Sequence, residues 1–317
     1  MIHQPKIFRM AGKIFNPETD IPDLHGKIIF ITGGTAGLGK ESVIALAKHN
    51  PEHIYFSGRD STRAAAVISE CRSAASGVSV TFIECDLASL ASVENAAKQF
   101  TSQSQRLDIL MCNAGVMALP PALTEDGYEV QFGTNHLGHA LLVKLLLPTL
   151  LRTAGIAGSD VRVVFLSSNG YRAHPRGGVV FKDLHSTQDY GFGSEWFRYA
   201  QSKLANILYA AELARRYPNL TTVSVHPGAI ATGLIHNLPR LKKVFVYVVN
   251  LGRVKSTLAE GTWNQLWAAT EEKNKIANGA YYEPVGIMGK LDSKGKSEKL
   301  AGELWEWTQK ELEAYHA

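Results

Sequence analysis

Three cysteines in 317 residues are too few for a disulfide framework, and Cys71, Cys85 and Cys112 neither form a CxxC pair nor cluster with histidines at metal-ligand spacing. No metal is expected, and a reducing, cytoplasmic setting fits. Long apolar runs are missing as well: the first, Ile28 to Ile31, is far short of the roughly 20 residues that span a bilayer, so no transmembrane segment is expected. Basic blocks are absent. The 33 Lys and Arg and 29 Asp and Glu are scattered, and a net charge of +4 without clustering argues against nucleic acid. Internal repeats, low-complexity tracts and linkers are also absent, which argues for one domain.

What is present is a 45% hydrophobic chain in which β-branched runs alternate with helical periodicity, the pattern of βαβ units around a parallel sheet. Strands are expected at 27–32, 53–57, 78–84, 107–112, 161–167 and 220–226. Helices are expected at 39–49, 61–75, 90–101, 128–151 and 195–217. A loop rich in Gly, Pro and His (169–193) precedes the last of these. Beyond Pro227 and Gly228 come a variable region to about Lys255, a helix at 256–270, a short strand near Tyr281 and a final helix at 298–315. That helix places Leu300, Leu304, Trp307 and Leu312 on one face. The fold class is α/β, a single Rossmann-type doubly wound parallel sheet of about seven strands flanked by helices.

Between the first strand and first helix lies Thr32-Gly33-Gly34-Thr35-Ala36-Gly37-Leu38-Gly39. Glycines there let backbone approach a pyrophosphate, and the helix N-terminus favours its negative charge. The spacing departs from G-x-G-x-x-G, and a glycine-rich strand exit can also be a mere tight turn. Three further motifs weigh on the same side: Asp86-Leu87 after strand three, Asn113-Ala114-Gly115 after strand four, and Tyr199-x-x-x-Lys203 on a long helix.

In this order the four motifs resemble the short-chain dehydrogenase/reductase superfamily from about Gly26 to Thr232. The stretches Gly37-Leu38-Gly39-Lys40-Glu41, Asn135-His136-Leu137-Gly138-His139, Ser202-Lys203-Leu204-Ala205-Asn206 and His226-Pro227-Gly228 are similar to its retinol-dehydrogenase-like and WW-domain-oxidoreductase-like branch. The resemblance implies a cofactor site formed by Gly33, Thr35, Gly37, Leu38, Gly39, Arg59, Asp86, Leu87, Asn113, Ala114, Gly115, Tyr199, Lys203, Pro227, Gly228, Ile230 and Thr232. Within it Asp86 would hold the adenine amino group, Asn113 would line the adenosine side, and Ile230 and Thr232 would contact the nicotinamide carboxamide. Helix capping is the plainer alternative for Asp86 and Thr232. Residues 1–25 read as an N-terminal extension and 26–317 as the dinucleotide-binding and catalytic domain.

Cofactor choice turns on Ser57-Gly58-Arg59-Asp60. An NAD enzyme presents an acid to the ribose 2'-hydroxyl, whereas a 2'-phosphate needs a cation. Gly58 stands where the acid would be and Arg59 follows, which favours NADP(H). A small shift of the turn would bring Asp60 into play.

At the reacting centre a developing alkoxide needs a proton donor. Lys203, four residues after Tyr199 on the same helix face, is expected to lower the tyrosine pKa; the resemblance implies that it also holds the nicotinamide ribose. The pair alone is common on amphipathic helices, but Ser168 and Asn135 match the family's remaining catalytic positions. Ser168 would stabilise the substrate oxygen, and Asn135 would hold a water linking Lys203 to solvent. Ser168 is chosen over Ser167 by the pattern in relatives. His174, Arg176 and His185 in the preceding loop are expected to border the pocket or face water.

A lid at about 233–255 would cover a lipophilic small-molecule substrate through Leu234, Ile235, Leu238, Phe245 and Val248. Val244 to Val249, flanked by basic residues, has a second reading as a helix on an anionic surface, giving weak peripheral membrane contact. A homodimer through the two long helices is implied by resemblance. The competing readings are a non-catalytic NADP-sensing scaffold, against which the intact Asn135, Ser168, Tyr199, Lys203 set speaks, and an epimerase or dehydratase, whose relatives space their first glycines differently.

Overall fold

A computed structural model describes residues 15–228 and 257–317. Ile230, Thr232, the lid at 233–255 and the 244–249 segment lie outside the described residues.

The first short helix, α1 (Pro17–Asp20), leads to β1 (Ile28–Ile31), α2 (Gly37–Ala47), β2 (His53–Gly58), α3 (Ser61–Ala74), β3 (Ser79–Glu84), α4 (Leu90–Gln103) and β4 (Ile109–Cys112). The second half carries α5 (Val130–Phe132), a π-helical turn (Gly133–Leu137), α6 (Gly138–Ala154), β5 (Arg162–Leu166), α7 (Ser194–Arg216), β6 (Thr221–Val225), α8 (Leu258–Thr270), β7 (Tyr281–Glu283), β8 (Ile287–Met288) and α9 (Glu298–Glu311). The sheet order is β3-β2-β1-β4-β5-β6-β7-β8, parallel from β3 to β7, with β8 antiparallel at the edge. This is one strand more than the sequence suggests, because Ile287–Met288 is too short to show a strand pattern.

Strands β1, β4, β5 and β6 are buried along their whole length, as a parallel sheet covered on both faces requires. One cluster joins β1, β4 and β5 to α4, α6, α7 and α9 on one face. The other joins the opposite residues of the same strands to α2, α3 and α8, and takes in Phe15, Ile21 and Leu24 from the N-terminal segment. Strand order reverses between β1 and β4, which opens a crevice at the carboxyl ends of the strands.

Two departures from the sequence reading affect the site. The helix expected at 128–151 begins at Val130 and is underwound into a π turn at Gly133–Leu137, where Asn135 sits. By length and composition the stretch Val130–Ala154 is apolar enough to cross a membrane, yet it is the central helix of its layer, packed on α4 and against α9. Helix α9 lies in the groove between α6 and α7. Trp305 stacks on Tyr209 at 5.1 Å, Trp307 meets Phe132 edge-on at 5.7 Å, and Lys144 Nζ donates to the Leu312 carbonyl at 2.6 Å.

Candidate active site

The glycine-rich end of the crevice, where the sequence places the adenosine, is built mainly from backbone. Gly37 opens α2 with φ +56, in open space, and no side chain caps that helix, so its first N–H groups remain available to an anion. A Cβ on Gly39 would collide with the Gly33 carbonyl oxygen, and one on Gly33 would press on Ala114 at 3.0 Å. Leu38 packs into the core beneath. Asn113 Nδ2 donates to the Thr32 carbonyl at 2.7 Å, and Gln265 Nε2 on α8 reaches Asn113 Oδ1 at 3.3 Å. Gln265, far off in sequence and not anticipated there, thus steadies the loop after β4.

At the end of β2 a Cβ on Gly58 would meet Thr35 at 2.7 Å, so packing itself bars an acidic side chain from that position. Asp60 is committed elsewhere: it caps α3 by accepting the Arg63 N–H at 2.9 Å. Arg59 projects into water, 3.7 Å from the Asp86 carboxylate. Asp86 Oδ1 also accepts the Ala88 N–H at 3.0 Å, and the cap position of α4 belongs to Ser89, not to Asp86. Leu87 is buried, its carbonyl against Gly138 at the start of α6.

At the other end the structure brings together Asn135, Ser168, Tyr199 and Lys203. Ser168 follows β5 and caps a short 3-10 turn, accepting the Gly170 N–H at 3.0 Å. Its hydroxyl hydrogen-bonds the Tyr199 phenol, while Ser167 turns away and donates to the Lys203 carbonyl at 2.8 Å. Lys203 Nζ lies 5.7 Å from the centre of the Tyr199 ring and donates to the Leu166 carbonyl at 3.1 Å. A Cβ on Gly115 would stand 3.3 Å from that Nζ and 3.0 Å from Asn135 Oδ1, so this glycine sets the space between the loop after β4 and α7.

Two expectations need correction. Burial pushes the Tyr199 phenol above its usual range, and the Ser168 hydrogen bond only partly pulls it back; Lys203 does not bring it down. Burial instead lowers Lys203 itself to about 8. The Asn135 amide is also largely engaged: Oδ1 accepts the Val116 N–H at 2.7 Å, and Nδ2 donates to the Val116 carbonyl and to Ser202 Oγ, each at 2.9 Å. Both amide donors are spent inside the protein, so a water can meet this side chain only at Oδ1.

A buried ion pair adjoins the site and was not read from the sequence. Arg198, next to Tyr199, places Nε 3.1 Å from Glu129 Oε1, and both side chains are sealed from water. Its other nitrogens donate to the Gln188 carbonyl (3.1 Å), Ser194 Oγ (2.9 Å) and the Leu119 carbonyl (2.8 Å). Burial raises Glu129, with Arg198 and backbone N–H groups opposing it. The pair ties the loop before α7 and the loop after β4 to the start of α5. The signal was an arginine beside Tyr199 and an acid, Glu129, entering an apolar helix. Of the loop histidines, His185 faces water beside Glu311 at 3.1 Å, while His174 is mostly covered and pairs with Asp292 at 3.2 Å.

A short chain dehydrogenase family model matches residues 27–181. A short-chain dehydrogenase/reductase of Armillaria gallica is 35% identical over 96% of this chain and 98% of its own. The chain is a short-chain dehydrogenase/reductase. Retinol dehydrogenase 14 of Homo sapiens is 36% identical over 89% of the chain and 85% of its own, in keeping with the retinol-dehydrogenase-like branch of this oxidoreductase family. A Mycobacterium paratuberculosis protein superposes with a TM-score of 0.70 at 28% identity, covering 94% of this chain and 97% of its own. A Pseudomonas aeruginosa protein solved as an NADP active-site complex shares the fold, with a TM-score of 0.64 at 23% identity over 83% of this chain and 96% of that one.

Proposed function

We propose that this short-chain dehydrogenase/reductase transfers hydride between NADP(H) and a lipophilic ketone, aldehyde or secondary alcohol, with Tyr199 as the proton-transferring group. The observation that carries the reading is the Tyr199 phenol held on the Ser168 hydroxyl at the end of β5, with Lys203 beside its ring. A bound nicotinamide would supply or take up the hydride next to this group. Tyr199, kept protonated by burial, donates to the developing alkoxide, and Ser168 hydrogen-bonds the same oxygen. Lys203, at the glycine-lined wall of Gly115, holds the ribose and carries positive charge toward the phenolate left behind.

The cradle fits a dinucleotide: α2 presents uncapped N–H groups, Gly37 leaves its first turn open, and side chains on Gly33 or Gly39 would collide with backbone. Preference for the 2'-phosphate is supported by the packing of Gly58 on Thr35, by Asp60 being used as a cap, and by Arg59 standing free in solvent beside Asp86. The Pseudomonas aeruginosa complex with NADP agrees with it. An apolar substrate is supported by the cluster of Met117, Ala118 and Trp196, one face of which belongs to the helix of Tyr199.

The test follows NADPH and NADH absorbance against a panel of carbonyl compounds, with Tyr199→Phe as control. NADPH consumption that largely disappears in the variant is expected; normal turnover by Tyr199→Phe removes that residue from the mechanism.

A further inference from the structure

His139 is fully buried on the first turn of α6, and its two ring nitrogens are both engaged. Nδ1 stands 2.9 Å from the carbonyl oxygen of Asn135, and Nε2 stands 2.8 Å from Thr32 Oγ1. The Thr32 hydroxyl oxygen accepts the backbone N–H groups of Asn113 at 2.9 Å and Ala114 at 3.0 Å. The two ends of this chain of hydrogen bonds fix its direction. A carbonyl only accepts, so Nδ1 carries the proton. The amides only donate and fill both lone pairs of the hydroxyl oxygen, so its hydrogen must find an acceptor; the Met111 carbonyl lies 3.4 Å away and Nε2 2.8 Å, and the hydrogen points to the nearer, a bare Nε2. A second ring proton would set an N–H against an oxygen that has nothing left to accept it.

We propose that His139, as a neutral ring protonated on Nδ1, is a positioning residue that fastens the π-helical turn of Asn135 to the Asn113-Ala114-Gly115 loop, keeping the catalytic and cofactor halves of the site in register. The role rests on the functional reading above. The surroundings agree with a neutral ring: burial, together with the charge of Lys203 on α7, holds the His139 pKa down to about 4, and His136 on the π turn is held neutral by burial too. Both halves of the link act on Gly115, which separates Asn135 Oδ1 from Lys203 Nζ.

Two measurements decide it. In protein labelled with 15N-histidine, NMR at pH 7 should show the His139 ring, assigned by its loss in His139→Gln, with the proton on Nδ1 and none on Nε2. The opposite tautomer or a doubly protonated ring overturns the proposal whatever the enzyme turns over. Dissociation constants for NADPH, read from nicotinamide fluorescence, should rise about tenfold in Thr32→Val and in His139→Phe. The double variant should be no weaker than the poorer single one, because one connection is broken once. Thr32→Ser should bind as the native protein does. Additive losses, or a Thr32→Ser variant as weak as Thr32→Val, count against the link. Wild-type protein that does not bind NADPH sinks the functional reading instead, and the ring tautomer then decides the link alone.

Discussion

The two ends of the crevice are built on different electrostatic terms. At the adenosine end Arg59 keeps 70% of its side chain in water, and its partner Asp86 keeps 39%. At the nicotinamide end Tyr199 is 9% exposed, Lys203 5% and Asn135 0%, with the Arg198–Glu129 pair sealed alongside. Charge in water is screened and easily exchanged, whereas charge in the interior shifts pKa values and is costly to leave unpaired. On the proposed function, one end would set which dinucleotide is taken by a single surface cation, while the other would hold its reacting groups by enclosure.

The comparison is broken most severely by removing the enclosed phenol. Tyr199→Phe should cost about 10²–10⁴ in turnover, the range of positioned proton transfer, while NADPH still binds; loss of binding in step with turnover would instead make Tyr199 a structural anchor. Next comes the sealed ion pair. Arg198→Met leaves Glu129 buried without its partner and should lower unfolding free energy in urea by about 3–5 kcal/mol. Adding Glu129→Leu should recover most of that loss, and a double variant as unstable as the single one would contradict the account.

A smaller effect follows from Lys203, whose pKa is lowered to about 8. Below that pH it is an ammonium beside Tyr199, and above it the charge is lost, so kcat/KM for carbonyl reduction should fall as pH rises through about 8. Lys203→Arg, which stays charged, should move that limb to higher pH. An unmoved limb assigns it to another group. The smallest effect belongs to the open end. Arg59→Ala should weaken NADPH about tenfold and leave NADH nearly unchanged, with a gap that narrows in high salt. Equal effects on both cofactors remove Arg59 from 2'-phosphate recognition.

What could be read from the sequence follows the same division. The alternation of strands and helices was legible because each buried parallel strand is a short run such as Ile28–Ile31, flanked by amphipathic helices. The motifs at Gly33 to Gly39 and at Tyr199 to Lys203, each ambiguous alone, were legible because they occur in one order with Asp86-Leu87, Asn113-Ala114-Gly115, Asn135 and Ser168. The π turn at Asn135 was not, since a single underwound turn leaves the apolar periodicity of its helix almost unaltered. The direction of the Tyr199 shift was misread for a related reason: spacing reveals a neighbouring cation but not the depth of burial that raises the phenol. Glu129 and Arg198 are separated by most of a βαβ unit, and Gln265 lies farther still from Asn113, so only the folded chain makes them neighbours. Trp305 was passed over for Trp307, although both enter the groove under α9.

That groove bears on how copies of the protein would meet. The pair of long helices that resemblance marks as a subunit contact is already occupied from within, by the tryptophans of the same chain's tail. A symmetric partner seated there would have to exchange tails with its mate or displace one. Sedimentation of full-length protein beside a version ending at Lys296 therefore reads out whether the C-terminus acts as a built-in stopper against self-association.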